Sequence, residues 1–150
     1  MKTAAVVNQV EVALRDNLNA QIAIEALEYS KPVAPVSEYS QGFEDPMQLR
    51  TYNACLVCPD QVRRDSGSAM AKLQIDIIFA IRGADKIMVM DTMKVYADAM
   101  ANLVEADPTI GGHVFEARFE AAEFIGPTPA NGLVGVVIAR LSVDTDDLLQ

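Results

Sequence analysis

The stretch Lys72-Leu73-Gln74-Ile75-Asp76-Ile77-Ile78-Phe79-Ala80-Ile81-Arg82 decides the fold. Leu73, Ile75, Ile77, Phe79 and Ile81 alternate with Lys72, Gln74, Asp76, Ile78, Ala80 and Arg82. A period of two sends the first set to one side of a strand, which therefore has a core face. Gly83-Ala84-Asp85 breaks that pattern, and an aspartate there can cap a helix by accepting from its first free N–H groups. From Asp85 to about Ala106 the period becomes helical. Met88, Tyr96, Met100, Leu103 and Val104 form an apolar stripe, while Asp91, Lys94, Asp98, Asn102 and Glu105 form a wet one. Such a strand followed by such a helix fits a sheet with helices packed on its apolar side.

Upstream, Val7, Val10, Leu14, Leu18 and Ile22 recur at spacings of three and four, which predicts a helix from about Ala5 to Glu28, ended by Tyr29-Ser30-Lys31-Pro32. The segment 32–50 carries Pro32, Pro35, Gly42 and Pro46 and reads as an arm, flexible or ordered by a partner, with Val33 to Tyr39 as a candidate edge strand. Tyr52 to Cys58 reads as a strand stopped by Pro59-Asp60. Asp60 to Ser68 then reads as a polar loop closing a hairpin onto the strand at 72–82.

Downstream, Asp107-Pro108-Thr109-Ile110-Gly111-Gly112 stops the second helix and turns the chain. His113 to Ile125 is the next predicted strand, with Phe115, Ala117, Phe119 and Ala121 on one face and a slip in alternation near Ala121-Ala122 that predicts a bulge. Gly126 to Gly132 reads as a hairpin loop. Leu133 to Asp144 is apolar on both faces, so it is either a central strand or one whose outer face meets another subunit. Residues 144–150 form a short acidic tail. The expected fold class is α+β: a mainly antiparallel sheet of four to five strands with two helices packed on it, in the order α-β-β-(β)-α-β-β, within one domain spanning 1–150.

Composition narrows the function. Hydrophobic residues make up 51% of the 150, enough for a core. The net charge is -9, from 21 acids and 12 bases, which argues against a nucleic-acid-binding stripe and against docking on an anionic membrane. Its ordinary consequence is solubility; its sharper one is an acidic wall that lets DNA slide past. The apolar runs are too short to span a bilayer. Ala4 to Val7 is followed at once by Asn8, Gln9 and Glu11, too polar for a signal peptide, so synthesis in the cytoplasm is expected.

Each candidate chemistry lacks a partner residue. Cys55 and Cys58 are the two cysteines, and with the one histidine, His113, they make three of the four ligands a zinc site needs. Their spacing on a strand sends them to opposite faces, so buried structural thiols are the reading. His113 has no nucleophile or orienting group near it in sequence. Gly111-Gly112 lies between helix and strand, the wrong order for a phosphate loop. Asp144, Asp146 and Asp147 read as solvated charge. Arg63-Arg64 reads as a subunit contact or solvation. Met88, Met90 and Met93 read as core filler, with an adaptable binding surface as the alternative. No catalytic, cofactor-binding or metal-binding residue is assigned, and no enzyme is expected.

The segment from Asp98 to Arg140 adds a different kind of information. Leu103-Val104-Glu105-Ala106-Asp107-Pro108-Thr109-Ile110-Gly111-Gly112-His113-Val114 resembles the helix-to-strand junction of bacteriophage tail-terminator and minor-tail proteins. The strand, the Gly/Pro-rich hairpin and the closing Gly135-Val136-Val137-Ile138-Ala139-Arg140-Leu141 that follow are similar too. The long segment 32–50 departs from the family plan. The resemblance implies a virion protein assembled in the host cytoplasm. Its subunits form a ring, usually a hexamer, that caps the head-proximal end of the tail tube, stops tube growth and meets the head connector. DNA would pass through the lumen without specific binding. Alternatives are a neck or head-completion protein of the same virion, and a cellular small-molecule-binding or regulatory α+β module.

Overall fold

A computed structural model describes residues 3–64, 71–114 and 116–145 of the chain. The elements run α1 (Thr3–Tyr29), β1 (Glu38–Gln41), β2 (Ala54–Arg64), β3 (Ala71–Gly83), α2 (Lys86–Ala106), β4 (Glu116–Pro129) and β5 (Leu133–Thr145). The five strands form one sheet in the order β1-β2-β3-β5-β4. The class is α+β, as expected from the alternation at 72–82. The sheet is mixed rather than purely antiparallel, because β1 pairs with β2 in parallel while the other neighbours are antiparallel.

Both helices lie on one face. α1 covers β1 and β2, and α2 covers β3, β5 and β4. The odd-numbered residues of β3 from Leu73 to Ile81 face them, with Val137, Ala139, Leu141 and Val143 of β5 beside, all buried. Val6, Val10, Leu14, Leu18 and Ile22 of α1 complete this core. Each large side chain so buried contributes about 1.5–3 kcal/mol. Tyr96 shows how α2 is seated: its ring meets Phe79 edge-on at 5.3 Å between centroids, and its hydroxyl donates to the Ala34 carbonyl at 2.7 Å. Burial pushes the Tyr96 phenol well above its ordinary value.

Gly135 of β5 lies beneath α2 because nothing larger fits. A Cβ there would stand 2.4 Å from Met93 Sδ and 2.9 Å from Val89 Cγ1. α1 ends in a Schellman arrangement. Ser30 takes φ 55°, its N–H donates to Leu27, and the Lys31 N–H donates to Ala26. Asp85 caps α2 by accepting from the Ile87 N–H at 2.9 Å.

The opposite face of the sheet is half apolar. Leu56, Cys58, Ile78, Val134 and Val136 form a second cluster, with Met47, Tyr52, Ala130 and Ile138 packed on it. β5 is therefore central, and its outer apolar face is occupied from within the chain rather than left as an edge for another subunit. The 32–50 segment supplies part of that cover. Its course is held at several points: Asn19 accepts from the Val36 N–H at 2.9 Å and donates to the Val36 carbonyl at 3.1 Å, and Ser37 N donates to Asn53 O. The edge strand is Glu38–Gln41, not Val33 to Tyr39. Pro35 lacks an N–H and Asn19 occupies Val36, so the earlier residues bond to a side chain instead of the sheet.

Three other expectations are corrected. β2 does not stop at Pro59 but continues through a register shift to Arg64. The missing proline N–H costs little there, because β1 pairs only as far as Val57 and β2 is itself an edge beyond it. The loop expected at Asp60–Ser68 is thus strand to Arg64, and the remainder lies outside the described residues. β4 begins at Glu116 rather than His113, after a longer turn, and runs through Gly126 to Pro129. The hairpin loop shrinks to Ala130–Gly132, with Asn131 at φ 53° and Gly132 at φ 104°. The bulge stands where the alternation slips, between Phe119 and Ala121.

Candidate assembly surfaces

The sheet has two unlike edges. At the β1 edge, side chains of α1 cap the backbone: Arg15 donates to the Tyr39 carbonyl at 3.2 Å, and Asn19 holds Val36. At the β4 edge, Ala117 N donates to the Pro108 carbonyl at 2.7 Å, and from Arg118 to Ile125 the strand pairs on one side only, with β5. Phe124 faces the helices, opposite Val137, and is 51% exposed. Beside it a cleft of about 150 Å³ is lined by Met90, Met93, Lys94, Phe124 and Gly126.

The methionines divide. Met93 is buried, as core filler should be, but Met88 and Met90 are 48% and 36% exposed. Met88 is thus not in the buried stripe. The stripe is Val89, Met93, Tyr96, Met100 and Val104, one position round from the reading at Met88.

The β2–β3 and β4–β5 strand pairs reach their connecting segments at opposite ends of β3. Arg64 pairs with Ala71 at one end of β3, and Leu133 pairs with Gly83 at the other. Twelve residue steps along β3 separate these ends by about 40 Å. Arg63 and Arg64 are exposed near the first tip. On the outer face there, Arg118 donates to both carboxylate oxygens of Asp144 at 2.8 and 2.9 Å, and Arg140 donates to Asp76 at 3.2 Å. Asp144 is therefore a buried strand residue with a partner, not the start of a solvated tail. Asp146 and Asp147 lie outside the described residues.

The junction at 107–114 explains itself locally. The Asp107 carboxylate accepts from Thr109 N at 3.1 Å, Thr109 Oγ1 at 2.7 Å and Gly111 N at 2.7 Å. Those bonds hold its carboxyl below the usual aspartate range, with the Thr109 hydroxyl the largest cause. Ile110, Gly111 and Gly112 all take positive φ, and the turn drives Ile110 into the core. His113 lies against α1, with Nε2 3.5 Å from Asp16 Oδ2.

Cys55 and Cys58 are free thiols on opposite faces, one in each core cluster. Burial pushes Cys58 up to about 11 and Cys55 higher still. Thiols held protonated are poor nucleophiles and poor ligands. Among the described residues no cluster of three His, Cys, Asp or Glu side chains has metal-binding geometry. Among them also, no helix is long and apolar enough to cross a membrane.

No protein-family model matches this chain, and none of the curated proteins matches it either.

Among the described residues a larger hollow, about 470 Å³ and lined by Glu38, Glu44, Asp45, Arg50 and Leu56, lies between the arm and the β1–β2 edge, whereas the clefts between helix and sheet are small. Beside the Met90 cleft, another of about 80 Å³ lies among Ala34, Asn53, Ile81 and Val89. Both fall below the ~300 Å³ at which pockets for small ligands begin. Sequence reasoning missed Phe43 and Phe124. Phe43 sits in a segment with no periodicity to say which way it points, and Phe124 lies beyond the bulge, where the alternation can no longer be followed.

Proposed function

We propose that this chain is a structural virion subunit that closes into a ring at the head-proximal end of a phage tail tube, stops tube growth and offers a surface to the head connector. The observation that carries the proposal is the resemblance of the Leu103–Val114 junction, with the hairpin after it, to tail-terminator proteins. The geometry is compatible on two counts. Edges that differ in chemistry suit a head-to-tail contact, which repeats and closes by rotation. Hairpin tips at opposite ends of the sheet suit a subunit that meets one partner above and another below. In this reading the β4–β5 tip at Ala130–Gly132 and the β2–β3 tip reach the axial partners, and the acidic excess lines the channel.

The test is removal of the chain from the phage that encodes it. Tails of uncontrolled length and heads without tails are expected in the lysate. Tails of normal length with unjoined heads would instead place the chain in the neck, and normal virions would refute both roles. A ring map with acids on the outer rim and a basic channel would refute the acidic lumen. Ligand-dependent thermal stabilisation without assembly would favour a small-molecule module.

A further inference from the structure

We infer that neighbouring subunits join by a knob and a hole: Phe43 of one copy seats in the Met90–Phe124 cleft of the next. This rests on the ring reading above and names the contact that builds it.

Phe43 lies two residues past the end of β1 and is 72% exposed, the most exposed aromatic among the described residues. Large aromatics are enriched among the anchors of protein interfaces. The Met90 cleft lies at the other edge of the sheet, between α2 and β4. Knob and hole therefore occupy opposite edges of one subunit. They cannot meet within a copy, and a contact between them is head-to-tail, the kind that generates rings. The cleft, at about 150 Å³ and lined by two methionines and a phenylalanine, has room for one side chain. Thioether sulfur against an aromatic ring is favourable, and methionine adapts its shape to what enters.

Charge selects the same pairing. Lys86 and Lys94 are the only basic residues of α2, and with Met90 they stand at i, i+4 and i+8 on one face. Neither makes an ion pair with the described residues. Lys94 is the one charged residue lining the cleft, and Asp91 beside Met90 is already paired with Lys31 at 2.6 Å, so the cleft's own charge is positive in an acidic chain. Phe43 is followed by Glu44 and Asp45, which gives the knob the complementary charge. An exposed Leu27 competes as a knob by exposure alone, but it borders a shallow trough on α1 beside its own Lys31.

The experiment uses single-cysteine additions and a short bis-maleimide. The native cysteines are buried, so the wild-type full chain gives the background. Gln41→Cys protein mixed with Ile87→Cys protein, both exposed positions that leave the knob and the hole intact, should yield covalent dimers, with neither alone doing so. A chain carrying both changes should yield a ladder that ends at the ring. Lys94→Glu should cut cross-linking several-fold, and adding Glu44→Lys should restore it, an outcome that misfolding does not give. If annuli form by electron microscopy while Phe43→Ala leaves them intact and no cross-link appears, this contact is wrong and the ring reading stands. If neither annuli nor cross-links form, alone or on tail tubes, both fall.

Discussion

Gly135→Ala isolates the packing on which the α2 face depends. The new methyl group would stand 2.4 Å from Met93 Sδ and 2.9 Å from Val89 Cγ1. Met93 has rotatable bonds and can yield, but it is buried and its neighbours are filled. Val89 is β-branched and stiff at χ1, so relief there requires α2 to lift. Overpacking of this kind costs about 1–3 kcal/mol. Against it, alanine narrows the unfolded ensemble and regains roughly 0.4–1 kcal/mol. A net loss of about 1–2 kcal/mol remains, or a fall in Tm of about 2–8 °C for a chain of this size. Urea unfolding is the assay, with a lower midpoint and an unchanged slope expected. Met93→Ala alone should cost about 2–5 kcal/mol as a buried truncation. The double variant should be less destabilised than the sum of the two by 1 kcal/mol or more, because the new methyl fills space that the shortened side chain vacates. An additive double variant, or a Gly135→Ala protein as stable as wild type, would refute the close approach of α2 to β5.

Three further outcomes follow from other parts of the molecule. Asn19→Ala removes both bonds to Val36 and leaves a buried backbone N–H without its partner, at a cost of about 1–3 kcal/mol by urea unfolding; a neutral change would show that the arm is not held there. The Asp107 carboxyl titrates below its unfolded value, so the stability it contributes is present above about pH 4 and lost as pH falls through the folded pKa. A carboxyl titration by NMR should place it under the other exposed aspartates, and an ordinary value would contradict the turn's bonding. Finally, both thiols should resist a disulfide reagent near pH 8 in the native protein and react on unfolding. Rapid native labelling of either one would contradict their burial.

The strand at 72–82 and the helix after it were legible because both are long and sided, so the period survives local noise. The bulge at Phe119–Ala121 was legible for the same reason, as a slip in a pattern otherwise regular. Pro59 misled because a proline ends a central strand but passes unnoticed at an edge, and nothing in sequence says that β1 is too short to cover it. The outer apolar residues of β5 left two readings open, since Val134 and Val136 look alike under an arm of the same chain or under a neighbour. Met47 and Tyr52 decide between them, and they come from a segment without periodicity. The proposed assembly surfaces were the least legible. Phe43 and the Met90 cleft are distant in sequence and lie on opposite edges, so the proposed pairing can be drawn only once the strand order is known.

Electron microscopy of the purified chain, alone and mixed with phage tail tubes, tests the proposed assembly role most directly. The account predicts an annulus, free or seated at one end of the tube, and no further tube growth from that end. Tubes that keep growing with bare ends in the presence of excess protein would contradict it.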